Sequence, residues 1–182
     1  LGTSFQELGQ LNAAVKSYEA VLIIKPDLAE IHNNLGVILN KLNQKDAALK
    51  SLERAVAIKP DFAEAHNNLG NVLKELDQPD VAIKCYEKAV AINPNYAQAH
   101  LNIGLVHQER NQVDDAVKLF EKALALNPNY AEAYYNLSAI KQYTISDEQI
   151  TQMQSLISSN DLSQSDRTFL CFALAKVNED LG

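Results

Sequence analysis

Hydrophobic and polar positions recur along this chain on two scales. Within each stretch of about three turns the apolar residues return at helical spacing, as in AEIHNNLGVIL at 29–39. The stretch is then rewritten 34 residues later as AEAHNNLGNVL at 63–73, again as AQAHLNIGLVH at 97–107, and in part as AEAYYNLS at 131–138. Leu35, Leu69, Ile103 and Leu137 stand in step, followed by Gly36, Gly70 and Gly104. Later in each unit come Ala48/Ala82/Ala116, then Leu52/Tyr86/Phe120, then Ala55/Ala89/Ala123, and a proline closes the unit at 26, 60, 94 and 128. Units 29–62 and 63–96 agree at 19 of their 34 positions. A fixed period of this size means stacked supersecondary units.

Each unit reads as an antiparallel helix pair. Gly and Ala let two helices approach closely, while Leu, Tyr and Phe fill the space between pairs. The first helix of each pair, helix A, is expected to start at a capping box: Asp27-x-x-Glu30, Asp61-x-x-Glu64, Asn95-x-x-Gln98 and Asn129-x-x-Glu132 follow the prolines directly. The turn into helix B falls at 42–46, 76–80 and 110–114, where Asn, Asp and Pro disfavour helix, and LGQLN at 8–12 predicts the same turn in the first half-unit.

The hydrophobic-Gly pair, the later Ala, the aromatic or Leu, the second Ala and the closing Pro resemble the tetratricopeptide repeat over residues 1 to 143. The resemblance implies an all-α, right-handed superhelix, a solenoid of antiparallel helix pairs. Its parts are a partial unit at 1–28, full units at 29–62, 63–96 and 97–130, and helix A of a divergent unit at 131–143.

After Tyr143 the register fails, and 144–182 reads as divergent helices that cap the array or lead to a further domain. Ser146-x-x-Gln149 predicts a cap for a helix carrying Ile150, Met153 and Ile157. A second helix puts Leu170, Ala173, Leu174, Val177 and Leu181 on one face, and Met153 is core filler. The stretch 134–182 resembles the junction in bacterial proteins where tetratricopeptide repeats precede a sulfotransferase domain, although the chain contains no GxxxxGK phosphate loop.

Composition narrows the partners. A formal charge of −7 and a pI near 5.1, with Lys and Arg spread among Glu and Asp, give an acidic mean field without a basic patch. Nucleic acid and anionic membrane are therefore not expected. Cys85 and Cys171 are too far apart in sequence for a metal-spaced cluster, and both are expected as small buried hydrophobes in a reducing, cytoplasmic setting. No run reaches the length of a membrane span.

Candidate chemistry is sparse, and no enzyme activity, metal or cofactor is expected. His32, His66 and His100 stand a whole repeat apart, with Tyr134 in the fourth instance, which suits packing and prevents convergence on a metal. His107 receives the same packing role. Glu30, Glu64 and Glu132 complement helix N-termini.

Asparagine behaves otherwise: Asn34, Asn68, Asn102 and Asn136 hold position six of helix A while their neighbours change. Asn is a mediocre helix former, and its carboxamide matches the N–H and C=O of one peptide unit. In the tetratricopeptide family, positions 2, 5, 6, 9, 12 and 13 of helix A line a concave groove. Here these include Glu30, Asn33, Asn34, Val37, Asn40 and Lys41, then Glu64, Asn67, Asn68, Asn71, Lys74 and Glu75. Successive A helices lie about 10 Å apart, and an extended chain advances about 3.3 Å per residue, so a ladder would grip roughly every third residue of a bound segment. The row resembles the asparagine ladder of O-GlcNAc transferase. By that resemblance Glu30, Glu64, Gln98 and Glu132 read side chains, and Asn33, Asn67, Asn71, Leu101 and Tyr135 complete the groove. Two other readings stand beside it: duplication copied the asparagines, or they bond to an adjacent helix.

The expected function is binding of a protein or extended peptide in the groove. The alternatives are a substrate-presenting region of a larger sulfotransferase-like enzyme, and a self-associating scaffold. By register Leu1-Gly2 are positions seven and eight of a helix A, which leaves Phe5, Leu8, Val15 and Tyr18 uncovered and predicts a weak homodimer through the first repeat.

Overall fold

A computed structural model describes residues 2–144, 148–159 and 161–182, with side chains from residue 9 onward. Among these residues there are ten helices and no strand, arranged in two compact units, 1–94 and 95–182. The first unit contains α1 (Gly2–Ile24), α2 (Ala29–Lys41), α3 (Lys45–Ile58), α4 (Ala63–Glu75) and α5 (Pro79–Ile92). Helices α2 and α3 form one antiparallel pair and α4 and α5 the next, with α3 against α4 and α1 against α2. The second unit contains α6 (Ala97–Glu109), α7 (Val113–Leu126), α8 (Ala131–Ser138), α9 (Glu148–Ile157) and α10 (Gln164–Leu181). There α6 pairs with α7, α7 meets α8, and α10 packs on α8 and α9.

The repeated small and large residues do what their spacing predicts. Ala48, Leu52 and Ala55, then Ala82, Tyr86 and Ala89, then Ala116, Phe120 and Ala123 have no exposed surface. Each helix A lays its glycine on the large residue of its own helix B. A Cβ on Gly36 would stand 2.5 Å from Leu52 Cγ, on Gly70 2.5 Å from Tyr86 Cε1, and on Gly104 2.6 Å from Phe120 Cε1.

The turn between the helices of a pair is the same three times. Asn43, Asp77 and Asn111 take a left-handed backbone, with φ of 58, 58 and 57°. After each, the Gln44, Gln78 and Gln112 N–H groups donate back to the Leu39, Leu73 and His107 carbonyls at 2.9 Å. This is a Schellman closure with Asn or Asp in the place glycine usually fills, tolerated because a short polar side chain limits the left-handed penalty.

Several expectations are corrected. Helix A begins one residue later than the capping boxes require: the N-caps are Leu28, Phe62, Tyr96 and Tyr130, and none makes a side-chain cap bond. Asp27 instead meets Arg54 in an ion pair. The turn expected at 8–12 is absent, because α1 runs unbroken from Gly2 to Ile24. Gly9 has the register of Asn43, yet it stays within the helix, and a Cβ placed on it would meet nothing within 4 Å.

In the C-terminal part, α8 stops at Ser138, short of the expected 143. Met153, Leu170, Ala173 and Val177 are buried as read, Ile150, Ile157 and Leu174 are half-buried, and Leu181 is exposed at the end of α10. Ser163 caps α10 by accepting from the Asp166 N–H at 3.0 Å. The expected cap at Ser146 lies outside the described residues. Cys85 is half-buried and Cys171 exposed, so the second cysteine is not the core residue expected. No described helix is long and apolar enough to cross a membrane.

Candidate functional site

Helix A is set in place by a bond that its spacing alone did not suggest. The His32 Nε2–H donates to the Pro26 carbonyl at 2.8 Å, and the His66 Nε2–H to the Pro60 carbonyl at 3.0 Å. In the second unit the Tyr134 hydroxyl donates to the Pro128 carbonyl at 3.1 Å. A carbonyl only accepts, so each histidine carries its proton on Nε2. These rings fasten the chain leaving one helix B to the first turn of the next helix A. The signal was present in sequence as a ring with a donor, His or Tyr, six residues after each proline.

In the first unit Asn33 at position five, Asn68 at position six and Glu64 form one network. The Asn33 side chain is 1% exposed; its Nδ2 donates to Glu64 Oε1 at 3.1 Å and its Oδ1 accepts from Asn68 Nδ2 at 2.9 Å. Both bonds cross from α2 to α4. Asn67 is likewise buried, and Asn71 accepts at Oδ1 from the Tyr86 hydroxyl at 3.0 Å. Asn34 is exposed, and among the described residues its carboxamide makes no hydrogen bond. Asn40 donates from Nδ2 to Glu75 Oε1 at 3.0 Å, and Lys45 lies 3.4 Å from the other oxygen of that carboxylate. A cavity of about 170 Å³ opens between α2 and α4, floored by Leu52 of α3 and lined by Val37, Asn40, Asn68 and Asn71.

Position five is different in the second unit. Leu101 has no exposed surface, so its side chain is packed away from any partner. Asn136, which would face it across the repeat, turns back and donates to its own helix at the Glu132 carbonyl, 2.8 Å away. Asn102 is 7% exposed and accepts from Gln98 Nε2 at 3.3 Å within α6. Tyr135 is 39% exposed, with its ring 5.4 Å from that of Phe169 and 6.2 Å from that of Phe172 on α10. The four position-six asparagines are thus not four equal donor–acceptor pairs. Asn68 and Asn136 each use Nδ2 for a bond inside the protein.

Charge around these helices is paired locally. Its own backbone N–H and then the Lys59 ammonium, 3.0 Å away, hold the Glu30 carboxyl below the usual carboxylate range. Burial pushes the Cys85 thiol up. No group of three or more His, Cys, Asp or Glu is placed to hold a metal ion among the described residues.

Family models described as tetratricopeptide repeat match residues 61–129 and 119–154, and one described as TPR repeat matches 2–43 and 37–77. No curated protein matches the chain. Among solved structures, TTC0263, a thermophilic TPR protein of Thermus thermophilus, superposes with a TM-score of 0.73 at 24% identity over 96% of each chain. MamA does so with a TM-score of 0.67 at 23% identity over 99% of this chain and 94% of its own. The first TPR of Spaghetti (RPAP3), bound to the HSP90 peptide SRMEEVD, gives 0.59 at 25% identity over 62% of this chain and 89% of that one. With repeat models spanning residues 2–154 and the helix pairs in register, the chain belongs to the tetratricopeptide repeat family.

Proposed function

We propose that this protein is an interaction module that binds an extended segment of a partner protein along its A helices, with Asn34 and Asn68 contacting the segment's backbone. The observation that carries the reading is the bonding state of these two residues. Asn34 is exposed with donor and acceptor both unengaged, and Asn68 is held by Asn33 with its Oδ1 unengaged. A carboxamide held in this way recognises peptide groups without reading side chains. Glu30 and Glu64 on the same helices would then favour or exclude side chains by charge. A repeat of this family with 25% identity holding a seven-residue peptide supports the class of ligand. In this reading Asn33, bonded to Glu64 and Asn68, orients its neighbour, and Leu101, which is buried, takes no part.

The test is a peptide array probed with the wild-type chain and with the Asn34→Ala/Asn68→Ala double variant. Wild type should retain a subset of extended peptides, with binding weakened about 5- to 100-fold in the variant if two bonds of ordinary strength are lost. Equal retention by both proteins, or no retention by either, would overturn the reading.

Self-association has its own supporting observation. On α1, Ile23 and Ile24 are 84% and 79% exposed, and Val21 is 39% exposed although its counterparts Ala55 and Ala89 are fully buried. Sedimentation at increasing concentration would reveal a dimer, and Ile24→Glu should abolish it. The side chains of Phe5 and Leu8, expected to join this face, lie outside the described residues.

A further inference from the structure

The cavity between α2 and α4 has a chemistry of its own. Its walls Val37, Leu52 and Val72 are apolar, and Leu52 and Val72 are buried. Its polar members are turned by their partners. Glu75 is a carboxylate and can only accept, so Asn40 must present Nδ2 to it and turn Oδ1 the other way. That Oδ1 is buried and accepts from no group among the described residues. Asn68, whose Nδ2 serves Asn33, is likewise left with Oδ1 as its unengaged polar atom. The lining combines the apolar Val37, Leu52 and Val72 with Asn40, Lys41, Asn68 and Asn71, and its two unengaged acceptors, Asn40 Oδ1 and Asn68 Oδ1, call for a donor.

Charge and size select among donors. Lys41 lines the cavity, and Lys45 already engages the Glu75 carboxylate beside Asn40, so a cationic side chain would meet two ammonium groups with no free anion in the lining. A carboxylate, although drawn by those ammonium groups, has no hydrogen to give Asn40 Oδ1, and a purely aliphatic group would likewise seal that buried acceptor without a donor, which is costly. A volume of about 170 Å³ is several times the roughly 30 Å³ share of one water molecule, enough for an aromatic ring.

We infer that this cavity is a side-chain pocket for a neutral aromatic hydrogen-bond donor, an indole or a phenol, whose N–H or O–H bonds to Asn40 Oδ1. The pocket rests on the reading of this face as a peptide groove and adds to it the residue the bound segment should carry, Trp or Tyr.

The test uses indole and 1-methylindole, which differ in the one donor, titrated into the isotopically labelled full chain and followed by NMR. Indole should shift the Asn40 side-chain amide and the Val72 methyl resonances, and 1-methylindole should bind about 3- to 10-fold more weakly. In Asn40→Leu that preference should vanish while the rest of the spectrum persists. Should that variant fail to fold, the wild-type comparison alone decides. Equal binding of the two probes, shifts centred elsewhere, or no shifts at all would overturn the pocket. Peptide capture on the array without indole binding here would discard the pocket and keep the groove. Indole binding with no peptide captured would keep the pocket and discard the groove.

Discussion

Replacing Gly70 by alanine adds one methyl group where α4 lies on α5. The new Cβ would stand 2.5 Å from Tyr86 Cε1, 2.7 Å from Cδ1 and 2.9 Å from Cζ, against the 3.4 Å at which ordinary contact begins. The two helices must separate by about 0.9 Å, the difference of those limits, or the ring must turn. Turning is obstructed because Tyr86 has no exposed surface and its hydroxyl is tied to Asn71 on the same helix as Gly70. Overpacking of this kind costs about 1–3 kcal/mol, and loss of the hydroxyl bond adds about 0.5–1.5 kcal/mol. Alanine returns about 1 kcal/mol through helix propensity. The net expectation is a loss of about 0.5–3.5 kcal/mol. Gly9→Ala is the control: it lies within α1 with nothing within 4 Å of a Cβ, so only the propensity gain applies, up to about 1 kcal/mol. Urea melts followed by far-UV circular dichroism should place the two variants on opposite sides of wild type. A Gly70→Ala midpoint at or above wild type would refute the packing argument, and equal losses in both variants would show that helix conformation, not contact, sets the effect.

Other expectations follow from single contacts. His66→Tyr should keep stability near wild type, since Tyr134 makes the same bond to a proline carbonyl, whereas His66→Phe should lose about 0.5–1.5 kcal/mol in the same melts. With a thiol reagent near neutral pH, exposed Cys171 should react fast and Cys85 slowly, because burial both shields that thiol and raises its pKa; equal rates would contradict the burial. Burial pushes the Tyr134 phenol from 10.0 up to about 12, so the folded state holds this proton more tightly than the unfolded chain. Its contribution is therefore complete below pH 10 and lost as pH rises from 10 towards 12. Tyr134→Phe should flatten that part of an alkaline stability profile, and an unchanged slope would count against the assignment.

What the sequence revealed follows from which signals are local. The helix pairs were legible because the close approach of the two helices calls for Gly at 36, 70 and 104 and Ala at 48, 82 and 116, with a large apolar or aromatic residue at 52, 86 and 120, and the same constraint recurs in each full unit. The capping boxes were misread by one residue. Asp27-x-x-Glu30 has the right spacing, but the chain spends one more extended residue, Leu28 at φ −108° and ψ 95°, before the helix starts. Spacing alone cannot tell whether a carboxylate caps a helix or pairs with a cation 27 residues away, as Asp27 does with Arg54. The turn signal at 8–12 shares its Leu and Gln with those at 42–46 and 76–80 but lacks their Asp at the fifth place, and α1 runs through it unbroken. The asparagines were legible by type and not by use. Whether Asn68 bonds across to Asn33 or, like Asn136, back to its own helix depends on a residue one repeat away, Asn33 in one case and Leu101 in the other.

The lengths of chain that these bonds close also bear on how the protein is made. The fastening of helix A to its proline spans 6 residues, while the side-chain bonds that join α2 to α4 span 31 and 35. Such short separations favour fast, local folding. On a ribosome adding about 5–20 residues per second, one 34-residue repeat emerges in roughly 2–7 s. Each new helix pair can close once its own residues are out, and its bare apolar face waits one further repeat for cover. The period of vulnerability to aggregation is therefore set by the length of a repeat, and adding repeats to such a chain would lengthen its synthesis without prolonging the exposure of any one face.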